Sequence, residues 1–117
     1  MPTKKKPTAS KPASKPAAKP VITSAKKPMD GTPYVLGKTY MVRGATMNNA
    51  GKLVAVFANE LVLDCAVWVA DSGRYHKFLQ APMETAIEVE AYSKPVIIPR
   101  SSIIDVTEIP AFQPVTK

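Results

Sequence analysis

The first 28 residues combine six prolines with a complete absence of acidic side chains, and together these bar the segment from folding by itself. Residues 1–28 (MPTKKKPTASKPASKPAAKPVITSAKKP) carry Lys4, Lys5, Lys6, Lys11, Lys15, Lys19, Lys26 and Lys27. The remaining 89 residues hold five Lys and three Arg against nine Asp or Glu, a balance of −1. The overall charge of +7 is therefore a basic arm joined to a nearly neutral body, and the two need separate functional explanations.

Pro2, Pro7, Pro12, Pro16, Pro20 and Pro28 exclude a continuous helix or a central strand. Lys-Pro recurs at 11–12, 15–16 and 19–20, and each proline biases the preceding lysine toward extended backbone. The expected form is a polyproline-like tether of at most about 90 Å, at roughly 3.1 Å per residue. Lacking aromatic residues and glycine, the arm has nothing with which to stack on bases. Three roles fit it: neutralising nucleic-acid phosphates, lying in an acidic groove of a partner protein, or serving as a solubilising linker.

Outside the arm there is length for one small domain, whose thin core gains stability by docking or oligomerising. Cys65 is the single cysteine, which excludes an intrachain disulfide framework and a Cys-based zinc site. The chain has no apolar run of the roughly 20 residues a membrane span requires, and its start lacks the features of a signal or transit peptide. The expectation is a soluble protein that stays where it is made, suited to a reducing cytoplasm or a particle assembled in one. The boundaries read as an extended arm over 1–33, a β domain over 34–110 and an extended tail over 111–117.

From Gly37 the pattern becomes short alternating segments punctuated by turn residues, an all-β signature. A strand over Lys38–Arg43 places Tyr40 and Val42 on one face. Asn48–Gly51 reads as a turn, and Lys52–Ala58 as a strand with Leu53, Ala55 and Phe57 together. Following a turn near Asn59-Glu60, Leu61–Val69 is apolar on both sides. Leu61, Leu63, Cys65, Val67 and Val69 fall on one side, with Val62, Ala66 and Trp68 on the other. Cys65 then reads as a small buried hydrophobe.

Asp71-Ser72-Gly73 offers an N-cap for a short helix over Arg74–Gln80, stopped by Pro82, with Tyr75, Phe78 and Leu79 covering an open end of the sheet. Thr85–Tyr92 alternates with Ile87, Val89 and Ala91 inward and Glu88 and Glu90 outward. Val96–Ile98, a turn over 99–102 and Ile103–Ile109 complete five or six strands. The predicted fold is all-β, a small SH3-like or related barrel with one short helix.

Catalytic signatures are lacking. His76 is the only histidine, Glu88 and Glu90 read as the solvated side of an edge strand, and the glycines are scattered rather than gathered into a phosphate loop. The expectation is a non-enzymatic protein with no cofactor, metal or small-molecule substrate. Trp68 has two readings: it is covered by the Arg74–Gln80 helix, or it anchors an interface. Trp68, Arg74, Tyr75 and Arg100 are the candidate interface residues of the body, and the eight arm lysines are the candidate contacts for an anionic partner.

Two resemblances attach to these segments. GKLVAVFANELVLDCA (51–66) looks like the first Sm-type motif, with Asn59 at its turn and Leu63, Asp64 and Ala66 at its end. PVIIPRSSIIDVTEI takes the place of the second motif. The Arg-Gly pair with which Sm proteins hold RNA reads Arg100-Ser101 here, and WVADSGRYHKFLQ falls where Sm proteins have no insertion. This likeness therefore implies a small barrel, and fold alone does not confer RNA binding. The order DCAVWVADSGRYHKFLQ followed by EVEAYSKPVIIPRSSIIDVTEI is similar to small bacteriophage-encoded β proteins of uncharacterised function. It implies a tailed-phage context and brings no catalytic or binding residues.

The leading expectation is a multi-copy virion component, a decoration or cement protein bound to capsid or other virion proteins, with the arm strapped across neighbouring subunits. The alternatives are a nucleic-acid-associated module acting through the arm, and a phage protein that binds a host factor through Trp68. Localisation follows as the virion, assembled in the host cytoplasm.

Overall fold

The computed structural model describes residues 32–117, and the eight arm lysines lie outside that range. In chain order the elements are β1 (Thr39–Gly44), β2 (Asn48–Val56), β3 (Glu60–Asp71), α1 (Tyr75–Phe78), α2 (Pro82–Thr85), β4 (Glu88–Ala91), β5 (Val96–Pro99), a 3-10 turn over Arg100–Ser102, and β6 (Ile103–Ile109). All strand pairings are antiparallel. The meander β1–β2–β3 is extended by β6, which returns beside β1, so the sheet reads β4-β3-β2-β1-β6. The outer edge of β3 is shared, with β5 on Glu60–Leu63 and β4 on Val67–Asp71. The 3-10 turn carries the chain from β5 to β6, completing the all-β body of six strands expected of the alternating pattern.

Each face of the sheet carries its own core. Tyr40, Val42, Leu53, Val56, Leu61, Leu63, Ala66 and Ile98 pack together on one face of the sheet, the inner core. Met41, Ala50, Val67, Val69, Val89 and Ile109 pack on the opposite face, under Phe78 from α1 and Ala86 just beyond α2. Two-sided burial explains why β3 is apolar on both sides. It also explains how a short chain buries enough apolar surface to hold six strands.

Cys65 sits in a left-handed conformation (φ 48°) in the middle of β3, where the β2–β3 register slips between Ala50 and Lys52. The bulge inverts the strand's phase: Leu61 and Leu63 belong to the inner core, Ala66 follows them inward, and Val67 and Val69 turn to the outer one. The buried Cys65 expected from strict alternation is thereby corrected, since Cys65 is exposed. Gly51 makes room for the bulge: a Cβ there would lie 2.7 Å from the Cβ of Ala66 and 3.0 Å from the carbonyl oxygen of Asp64.

Other boundaries also move. Asn48–Gly51 is the start of β2 and not a turn; the turn lies at 45–47, closed by the Gly44 N–H donating to the Met47 carbonyl at 2.8 Å. Pro82 does not merely stop a helix over 74–80 but opens a second one as its first residue, where the missing N–H costs nothing. The strand expected from Thr85 begins at Glu88, and Ile87, expected inward, is 63% exposed. Ala91, also expected inward, is exposed. The tail from Pro110 is docked: Phe112 packs on the outer core, and Val89 and Lys117 exchange two backbone hydrogen bonds of 2.9 and 3.0 Å. Those bonds cover the free edge of β4, which would otherwise be a template for pairing with another chain.

Candidate protein-docking surface

The phase change at Cys65 decides where Trp68 points. Trp68 is opposite Asn49 on β2 and Glu90 on β4, and Asn49 is in turn opposite Val42, a residue of the inner core. Trp68 therefore lies on the inner side of the sheet, at its β1–β2-turn end, while Phe78 of α1 packs with the outer core. The helix does not cover it. Trp68, half-buried, instead lines a groove with Met47, Glu90, Ala91 and Tyr92.

This groove adjoins a cleft between the β1–β2 turn and β5, which reaches Val42 and Asn49 at its base and Val96–Pro99 along its wall. The Tyr92 hydroxyl donates to Asn49 Oδ1 at 2.7 Å, and the Tyr92 N–H donates to the Ala66 carbonyl at 2.9 Å. These bonds hold the Tyr92 ring between groove and cleft. Burial pushes the Tyr92 phenol pKa above its ordinary value. Met47 is 57% exposed at one lip, and Ile97, on β5, is 66% exposed. Glu90 is exposed at the other lip, with no ion-pair partner among the described residues.

The other interface candidates are placed elsewhere. Tyr75 packs against the outer core with its hydroxyl enclosed and unpartnered among the described residues; the Arg43 guanidinium lies 4.9 Å from its ring centroid. Arg43 also reaches across to β6, where its Nε donates to Asp105 Oδ1 at 2.8 Å and its Nη2 to Asp105 Oδ2. This hydrogen-bonded pair holds the Asp105 carboxyl below, and the Arg43 guanidinium above, their usual values. Arg100 donates to the Phe57 carbonyl at 2.9 Å and lies 5.5 Å from the Tyr34 ring centroid, contacts at the β2–β3-turn end of the sheet. Arg74 is exposed. The structure thus gathers around Trp68 none of the other three.

Met47, Asn49 and Tyr92 are the residues that sequence reading did not connect to Trp68. An exposed methionine in a turn and a tyrosine beside a proline-bounded loop were the available signals, and only the register joins them. His76 is exposed on α1 with its Nε2 3.4 Å from Gln80 Nε2. Among the described residues, no three His, Cys, Asp or Glu side chains converge as metal ligands, and no helix is long and apolar enough to cross a membrane. What the groove offers chemically is a concave aromatic and thioether surface with one carboxylate at its rim, a surface fit for an extended peptide.

Compared with protein-family models, curated proteins and solved structures, the chain matches none.

Proposed function

We propose that the chain is a non-enzymatic structural component of a bacteriophage virion, a capsid-associated decoration or cement protein whose Lys/Pro arm straps onto neighbouring subunits. The observation that carries this reading is the division of the molecule. Eight lysines without one acid precede a folded body of nearly balanced charge. Six prolines among 28 residues restrict the arm's backbone, which lowers the cost of ordering it on an acidic groove, and many copies on a repeating shell add avidity. The body supports the same reading through its exposed apolar side chains, Met47, Ile97 and Ile104, which suit a docking domain.

The lysines also favour a second reading, in which the arm neutralises nucleic-acid phosphates. Co-sedimentation with phage particles lacking the protein separates the two. The full chain is expected to saturate the particles, and a variant with the eight arm lysines replaced by serine to bind at least about tenfold more weakly, the loss of some 1.4 kcal/mol. Absence of particle binding, combined with salt-sensitive binding to any DNA or RNA that the same variant loses, would instead establish the nucleic-acid reading.

A further inference from the structure

We propose that the Lys-Pro repeat at residues 11–20 of the same chain is the resident occupant of the Trp68 groove. This seat is independent of what the arm finally binds, because it concerns the state of the chain before any partner is met.

Three observations select this occupant. The first is chemistry: the pyrrolidine rings of a proline-rich segment suit a groove with aromatic walls, here Trp68 and Tyr92 with Met47 at the lip. The second is charge. Glu90 at the rim, with Glu88 exposed two residues along the same strand, gives the lysines of the repeat a carboxylate partner. Tyr92 is a phenol whose pKa burial raises further, so it adds no competing charge at neutral pH.

The third is reach. The described chain begins at Thr32, close to Tyr34, which packs edge-on against Tyr40 near the start of β1. Met47 lies just past the other end of β1, a strand's length of about 20 Å away. Residues 21–31 span up to about 34 Å, enough to bring residue 20 to the groove. A tether of this length sets an effective concentration on the order of 1 mM, so even a weak groove is substantially filled without a second molecule. The consequence is a latch: the arm is parked on its own body until a more acidic surface takes it.

Trp68 is the only tryptophan, so its fluorescence reports the groove directly in the intact protein. Acrylamide quenching of the full chain at low salt is expected to find Trp68 shielded. About 1 M salt, which screens lysine–carboxylate attraction, should raise the quenching constant about twofold. The triple variant Lys11→Glu, Lys15→Glu, Lys19→Glu lies outside the folded body and should show the raised value at every salt concentration, as should Glu90→Lys. Shielding should not depend on protein concentration. Equal quenching of wild type and triple variant would overturn the proposal. Shielding that grows with protein concentration would also overturn it, giving the groove to the arm of a second copy.

Discussion

Cys65 carries the largest difference between what alternation predicts and what the chain does. Strict period-two reading buries it, yet its positive φ bulges the strand, exposes Cys65 and puts every later side chain of β3 on the face opposite to the one alternation assigns. No local signal announces this, because αL is unusual for any residue with a Cβ and cysteine is not enriched there. The account predicts that native protein reacts with a thiol reagent as readily as unfolded protein. It also predicts that Cys65→Val destabilises by about 1–2 kcal/mol in denaturant titration, since a β-branched residue tolerates αL worst, whereas Cys65→Gly is neutral or stabilising. Tyr92 gives the residue-scale pH prediction. Its folded pKa lies above the unfolded one, so below about pH 10 both states are neutral and stability is unaffected. As pH rises further the unfolded phenol ionises first and stability falls. Tyr92→Phe should remove that alkaline decline, while costing about 1–2 kcal/mol at neutral pH because Asn49, nearly fully buried, loses its hydrogen-bond donor.

Among the elements, those with a clean pattern were legible. Tyr40 and Val42 on one face of β1 and the bounds of β6 follow from spacing and stand in the structure, as does a short helix bearing Tyr75 and Phe78, although it covers only Tyr75–Phe78 of the expected 74–80 and Leu79 lies just past its end. Elements that depend on tertiary contacts were not. Asn48–Gly51 has turn composition but is strand, because Asn49 is used to hold Tyr92 and Gly51 is used for close approach to Ala66. The turn residues there serve packing rather than chain reversal, a distinction that local propensity does not contain. Gly51→Ala places a Cβ within 2.7 Å of Ala66 Cβ and against the backbone of the bulge. It is expected to destabilise by about 1–3 kcal/mol in chemical denaturation, as overpacking does. Gly51→Ala combined with Ala66→Gly should recover part of that loss, the two sites being in contact.

For the whole molecule, the organising fact is the division between a basic proline-rich arm and a six-stranded body with a core on each face of its sheet. The division was legible from charge alone, and the β class from alternation. The groove was not, because it needs the register Asn49–Trp68–Glu90 and the return of the chain at Tyr92. In the proposed function, the arm of eight lysines engages something larger and more acidic than the nearly balanced body that carries it. The proposed strap on a phage shell makes that partner a repeating surface. Quantitative mass spectrometry of virions purified from the phage that encodes the chain tests this most directly. The account predicts a stoichiometric presence, from tens to hundreds of copies per particle, as multivalent docking requires. Absence from the particles would contradict it and return the arm to an intracellular anionic partner.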